Sequence, residues 1–575
     1  MLKIVGYPDR YSVAPGETIA FKISQEEGDH FDARIVRVFN GDSNPDGPGL
    51  RFEHVPTAAD GRHAGFVQSI DAGSYMIAAS VPPLARTAFT FSAFVWPTLP
   101  NREDQTLAAQ WDPAAEAGWR IIVAGGRTGI VVGDGSGRMA TAFADGVMVP
   151  RRWYQLTVSI DPASGAVAIE QTPLVAYAKT GDAGQFAGAL DVLPAAIDAP
   201  FLLAGTRERD GTVGRHFDGK IDSPVLLEGR HKGAAYLRLL EPHVPLPLAA
   251  AVVARWDFSR AIDTVDAVDV GPAGHHGRFE QLPTRGMKGW NWTGEEQSWT
   301  RKPEHYGAVH FHHDDVYDAA WETSVEVRIP DDMPSGPYAL HAVAGPSDEQ
   351  ATREAYIAFF VRPPRDRAAR TNRPKVLMLA PTMSYLAYAN HGEHITARGA
   401  ERQMGRLLTF GHTDLYMYDH AELGGSLYDT HADGSGTNYS SRLRPNLNFA
   451  PRYHSWLGGP GSALYQYNAD THLFDWLDKK GVAYDIATDE DLHEDGYALL
   501  ADYSVVITGT HPEYHSTAMW DAMKTWVDRG GRLMYVGANG WYWRIAFHKQ
   551  LPGVIELRRA EDGIRTWGQE PGGYY

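Results

Sequence analysis

Short apolar runs that alternate with polar positions dominate the first two thirds of the chain. LKIVGY is followed by SVAPGETIAFKIS, in which Pro15, Gly16 and Glu17 mark a turn between two alternating runs. ARIVRVF alternates again. Residues 1–82 are therefore predicted to form a small immunoglobulin-like β-sandwich. From 83 to 255 the runs TAFTFSAFVWPT, WRIIVAGG, GIVVGDG, WYQLTVSID, GAVAIEQT and FLLAGT follow one another between Gly, Asp and Pro turns. Helical periodicity is scarce there, except over 234–240.

The order FTFSAFVWP, WYQLTVSID, GKIDSPVLLEG resembles a lectin-like jelly roll of the concanavalin or laminin-G type, with VDVGPAGHHGRF at 268–279 as its closing segment. Residues 256–371 carry further strand patterns: VHFHHDD, TSVEVRIP, GPYALHAVAG and AYIAFFVRPP. These are expected to complete a second small sandwich with the N-terminal strands. The Pro- and Arg-rich stretch PPRDRAARTNRP, 363–374, reads as a linker.

Beyond 372 the period changes. KVLMLA (375–380), VAYDIA (482–487), YSVVITG (503–509) and RLMYVGA (532–538) are short buried-strand patterns. Between them, 470–480 places Leu473, Phe474 and Leu477 on one helical face, with Gly481 as the stop. Ser516 can cap a helix carrying Met519, Trp520, Met523, Trp526 and Val527, ended by Gly530 and Gly531. Strands alternating with helices predict a doubly wound parallel α/β domain over 372–575. The expected chain is thus a multidomain β plus α/β protein.

Composition narrows the partners. The 575 residues are 43% hydrophobic and 22% charged, with 16 Trp, 27 Tyr and 21 Phe, which is globular. The net charge of -18 argues against nucleic acid or an anionic membrane as partner, since phosphate binding needs clustered Lys and Arg. There is no cysteine, so disulfides, zinc-thiolate sites, Fe–S clusters and Cys nucleophiles are excluded. The N-terminus lacks an apolar signal core, and the longest strongly apolar run, 246–254, is too short to span a bilayer. A cytoplasmic protein is expected.

In an open α/β sheet, ligands sit beyond the carboxyl ends of the strands. The segments there are PTMSYLAYANHGEH, THPEYHS and NGWYW. They would bring Tyr385, Tyr388, His391, Glu393, His394, His511, Glu513, His515 and Asn539 to one rim. A long polar excursion over 428–449 is rich in Tyr, His, Asp and Arg, as functional loops often are. No G-x-S-x-G, H-E-x-x-H, Walker A or strand-linked G-x-G-x-x-G motif is present. The arrangement resembles amidotransferase-like domains, whose Cys nucleophile cannot exist here. A hydrolase built this way would use water activated by a metal or a carboxylate. His310, His312 and His313 alternate along a predicted strand, and His275 and His276 sit in a turn. All five are expected to be structural.

THPEYH, together with SYLAYAN, YDTHADGSGTNYSSRLRP and GANGWYW, is similar to the large-subunit family of bacterial N,N-dimethylformamidase. The likeness extends through GDSNPDGPG near 41, GDGSG at 133, GHHGR around 275 and GWNW at 289. The resemblance implies hydrolysis of N,N-dimethylformamide to dimethylamine and formate at one mononuclear non-haem Fe(III) per chain. It implies Tyr388, Tyr428 and Glu513 as iron ligands, with His511 and Asn539 beside the substrate. Arg559 stands where the family has Lys; it keeps the charge but cannot act as a base. Phenolate and carboxylate are hard donors suited to Fe(III).

The resemblance further implies a small (alpha) subunit as partner and self-association of the large subunit. It also implies that the α/β domain is incomplete at Tyr575, because the family's large subunit continues and carries an essential acidic residue there. The competing reading is a carbohydrate- or surface-binding protein with an inactive α/β domain.

Overall fold

A computed structural model describes all residues except 178–179, 346–351, 367–373, 393–400, 402–404, 406, 457–463, 538, 542 and 559–575. The described chain is mostly β-sheet with few helices. It divides into two units, one of residues 1–70, 317–430 and 436–557, the other of residues 71–316, 431–435 and 558–575.

The first unit opens with a sandwich whose strands come from two distant stretches. Thr18–Gln25 lies between Ile4–Pro8 and Val325–Arg328 in one sheet. Gly336–Ala344 lies between His30–Asn40 and Glu354–Val361 in the other. The alternation in TIAFKISQ and HFDARIVRVFN is the physical cause: every second residue, including Ile19, Phe21, Ile23, Phe31 and Ile35, enters one core with Val325, Val327, Leu340 and Phe359.

The same unit contains a four-stranded sheet in the order Tyr484–Thr488, Val376–Ala380, Val505–Thr508, Arg532–Met534, with every pair parallel. Three of its strands are short apolar runs that are largely buried, as parallel sheets require, whereas Arg532–Met534 is an exposed edge. Met378, Ala380, Ile486 and Ile507 face Phe474 and Leu477 of the helix Tyr467–Lys479. Leu377, Leu379, Ala487 and Val506 face Leu492, Leu500, Met519, Met523 and Trp526 from helices on the opposite side. Gly481 ends the first helix at φ +65°, a conformation that suits glycine. Ser516 caps the helix Thr517–Asp528 by accepting from the Met519 N–H. The chain runs from the Val376 strand to one neighbour, then crosses to the other, so direction reverses around that first strand. Ligands collect at such a switch point.

The second unit is a sandwich of two large antiparallel sheets. Phe91, Trp119, Ile121, Leu156, Phe201, Trp256 and Phe311 fill the space between them. The predicted boundary at 255 falls inside this sandwich. Gly277–Glu280 pairs with Tyr75–Ala78, and Ala308–Phe311 pairs with Gly219–Glu228. Strands of 266–311 find their backbone partners here, whereas those of 325–361 find theirs among the N-terminal strands. No described helix is long and apolar enough to cross a membrane.

Candidate active site

Tyr388 and Glu513 follow adjacent parallel strands. Tyr388 ends the short helix Thr382–Ala387 that begins just beyond Val376–Ala380. Glu513 follows Val505–Thr508, and its backbone N–H donates to the Ser384 hydroxyl of that helix at 3.1 Å. Its carbonyl accepts from Trp543 N at 3.0 Å. The two loops are therefore tied together at the switch point.

Tyr428 arrives on the long polar excursion, which is an ordered loop. Asn390 turns the chain in the left-handed region, at φ +56°, which Asn tolerates. Its amide donates to the Pro445 carbonyl at 2.8 Å, and its side-chain oxygen accepts from Leu447 N at 2.9 Å. Asn448 donates to the Tyr388 carbonyl at 2.6 Å. Arg444 is buried and donates to the carbonyls of Leu423, Gly424 and Gly425, the residues that lead into Tyr428. Burial pushes the Arg444 guanidinium down to about 10. Leu427 N completes the seat by donating to Ala387 O at 2.9 Å.

Three oxygen-bearing side chains converge there. The Tyr388 hydroxyl donates to Glu513 Oε2 at 2.8 Å and lies 2.6 Å from Tyr428 Oη, and the Tyr428 hydroxyl lies 3.4 Å from Glu513 Oε1. Their exposures are 6%, 5% and 0%. Burial drives the Tyr388 phenol far above its ordinary range, and the neighbouring Tyr514, Tyr465, Tyr428 and Glu513 push it in the same direction. The phenol will not ionise unaided. A cation among the three oxygens is what could displace its proton.

His511 Nε2 lies 3.1 Å from Glu513 Oε2, and Asn539 Nδ2 lies 3.3 Å from the same nitrogen. One ring nitrogen cannot donate to the carboxylate and accept from the amide at once, so its proton marks which partner it serves. Asn539 itself is exposed at the mouth of the group. Arg559, Glu393 and His394 lie outside the described residues.

Other rim residues have structural duties. Tyr385 donates to Asp470, whose carboxyl burial raises to about 6. His515 stacks on Trp541 at 3.7 Å, and burial lowers it to about 3, so it stays neutral. His391 packs its ring 5.6 Å from that of Tyr428. Two tyrosines missed by sequence reasoning join the group. Tyr514 Oη is 2.5 Å from Tyr428 Oη, and the Tyr465 ring stands edge-on to Tyr388 at 5.5 Å. Tyr514 sits inside the quoted THPEYH motif, but a tyrosine's neighbours cannot be read from its place in a string.

Among the described residues, two groups of largely buried His and Asp could also hold a metal ion. They are His310 with His312 and Asp433, and His312 with Asp315 and His431. Burial, and then His312, lower His310 to about 4. Burial would lower His431 as well, but its pairing with Asp314 outweighs that and raises it to about 9. The His-x-His spacing was legible; the Asp more than a hundred residues away was not.

Known proteins resemble this chain over its full length. The family described as N,N-dimethylformamidase beta subunit-like, C-terminal, matches residues 284–575. The N,N-dimethylformamidase beta subunit of Paracoccus aminophilus is 36% identical over 100% of this chain and 76% of its own length. That of Alcaligenes sp is 35% identical over the same shares. Among solved structures, a heptameric SAP-like pentraxin from Limulus polyphemus is 9% identical, covering 36% of this chain and 82% of its own, with a TM-score of 0.21. A likeness that slight carries no argument.

Proposed function

The chain belongs to the family of N,N-dimethylformamidase beta subunits, and from that premise we propose that it hydrolyses small N-substituted amides. The reading in full is hydrolysis of N,N-dimethylformamide to dimethylamine and formate by a cytoplasmic iron-dependent amidohydrolase. The chain would be the large subunit, pairing with a small subunit and with further copies of itself. Its relatives' designation as beta subunits supports a hetero-oligomer. The parallel sheet with helices on both faces supports reading the region from 372 as a doubly wound, amidotransferase-like domain.

One observation carries the site. The Tyr388, Tyr428 and Glu513 oxygens stand 2.6–3.4 Å from one another. Adjacent ligand atoms of an octahedral ion with bonds of about 2.0–2.1 Å are about 2.8–3.0 Å apart. Two phenolates and a carboxylate are hard oxygen donors carrying three negative charges when ionised, which fits a trivalent iron. When bound, such an ion supplies Lewis acidity toward an amide carbonyl and toward water.

The protein's own residues do the rest. Stacking of the Tyr388 and Tyr428 rings, 4.4 Å apart at 15°, holds two oxygens to one side of the Glu513 carboxylate. His511 is placed to take a proton from water and to return one to the departing amine. Asn539 is placed to donate to the oxygen on which charge develops, a contact worth about 3 kcal/mol in comparable sites. Arg559, where the family has Lys, would supply positive charge without acting as a base.

The test is metal analysis and visible absorption of the purified chain, with and without a co-expressed small subunit, followed by an amide-hydrolysis screen. About one iron per chain, a tyrosinate-to-iron band and release of dimethylamine are expected. Zinc, or no metal, at full folding would refute the tyrosinate centre.

A further inference from the structure

We infer that His310, His312 and Asp433 form a second metal site, one for a divalent ion of the zinc class, within the unit that contains the two large antiparallel sheets. His310 belongs to the strand Ala308–Phe311, held between Lys220 on one side and Thr284 on the other, so its backbone cannot drift. His312 lies two residues on, and residues i and i+2 of an extended chain share a face. Their ring centroids are 4.0 Å apart. Asp433 comes from the turn 431–435, whose backbone is anchored to the same unit. Ala432 N donates to Asp314 Oδ2 at 2.8 Å, and Arg151 donates to Asp433 O at 2.7 Å.

The geometry fits three ligands around one ion. Asp433 Oδ2 lies 3.2 Å from His310 Nε2 and 3.8 Å from His312 Nε2, with side-chain exposures of 0%, 3% and 1%. Yet neither His310 Nε2 nor Asp433 Oδ2 makes an aligned hydrogen bond. Two buried polar atoms at that separation, misaligned toward each other, can point at a common centre. Ligand atoms on a tetrahedral ion with bonds of about 2.0–2.1 Å stand about 3.3–3.4 Å apart.

A supporting layer orients them. His312 Nδ1 faces the Asp315 carboxylate at 3.2 and 3.3 Å. That carboxylate also accepts from Ser74 Oγ at 2.6 Å and from His312 N at 3.0 Å. A carboxylate behind one ring nitrogen leaves the other nitrogen's lone pair for a metal. The Ser435 hydroxyl donates to Asp433 Oδ1 at 2.5 Å and lies 2.9 Å from His312 Nε2, a contact that a metal on that nitrogen would displace.

His431 stacks flat on His312 at 3.8 Å and 4°, and is held by Asp314 at 2.8 Å. With the Asp315 carboxylate already accepting from Ser74 Oγ and His312 N, the trio His312, Asp315, His431 is the poorer site. The nearby Lys220 lies over the Trp96 ring at 4.1 Å. Two imidazoles and one carboxylate suit zinc or cobalt; calcium and magnesium would need more oxygen ligands. The ion would fasten 431–435 to the strand end at 310–312, a closed structural role.

The experiment uses the full chain carrying Glu513→Gln, which disables the tyrosine–glutamate group, after treatment with a chelator and titration with Zn(II) or Co(II). One equivalent should bind, with the ligand-field bands of tetrahedral cobalt. Adding Asp433→Asn or His310→Asn should abolish it, and Asp315→Asn should weaken it by about 10–100-fold. Circular dichroism checks that each variant is folded. Zinc-edge absorption on the Glu513→Gln protein gives a readout that needs no further variant, and should report imidazole ligation. No uptake by the Glu513→Gln protein, unaltered affinity in folded Asp433→Asn, or an all-oxygen shell would each overturn the site.

Discussion

Tyr388 and Tyr428 stack ring on ring at 15°, with their phenol oxygens 2.6 Å apart, although they lie forty residues apart in sequence. If both oxygens serve one iron, Tyr388→Phe and Tyr428→Phe should each lower iron affinity by more than the roughly 10–100-fold that loss of a merely supporting partner costs. The visible band should fade with the metal. Tyr514→Phe removes a hydroxyl 2.5 Å from Tyr428 Oη and should shift the band while iron is retained. Metal analysis and absorption spectra check all three; full iron in either ligand variant sinks the assignment.

Asn539 touches His511 and not the three converging oxygens. Asn539→Ala should therefore leave iron content unchanged while reducing kcat by about 10²–10³, the usual cost of one oxyanion donor. Steady-state kinetics on iron-matched samples would decide; an unaltered kcat removes Asn539 from the chemistry.

Ser516 illustrates a local contribution to stability. Its hydroxyl accepts from Met519 N at 3.3 Å and caps the helix Thr517–Asp528. Ser516→Ala should cost about 1 kcal/mol, and Ser516→Asp should recover most of it. Chemical denaturation monitored by Trp fluorescence reads the difference, since Trp526 belongs to that helix and is buried in the adjoining core.

Asp222 should make stability depend on pH. Burial raises its carboxyl from 3.8 to about 6, despite hydrogen bonds from Ser223 Oγ and Trp290 N. The folded state therefore holds the proton more tightly than the unfolded state. The associated stability is complete below about pH 4 and is lost as pH rises through 6, about 3 kcal/mol in all. Asp222→Asn, neutral throughout, should lack this loss. Comparing unfolding midpoints at pH 4 and pH 7 tests it; parallel behaviour of the two proteins would contradict it.

Elements whose signals are local were readable before any coordinates. The Ser516 cap, the Gly481 stop and the four short apolar strands depend on neighbours within a few residues. The boundary at 255 failed because strands of 266–311 complete a sheet with partners far upstream. Backbone hydrogen bonds leave no trace in the spacing of either partner. At the site, position after a strand was enough to nominate Tyr388, His511 and Glu513. Tyr428 was reached only through family resemblance, since the Arg444 and Asn390 contacts that seat it are non-local. Tyr514, Tyr465 and the Asp433 partner of His310 gave no signal, because abundant residue types reveal chemistry only once they converge.

The sandwich built from residues 4–64 and 325–361 constrains how the chain is made. Ile19, Phe21 and Ile23 emerge from the ribosome early, but Val325 and Val327, which share their core, follow roughly 300 residues later. At about 5–20 residues per second, that apolar strand waits some 15–60 seconds with only Ile4–Pro8 beside it and without its second sheet partner. Nascent chains should therefore be clients of holding chaperones until the message is read past residue 361.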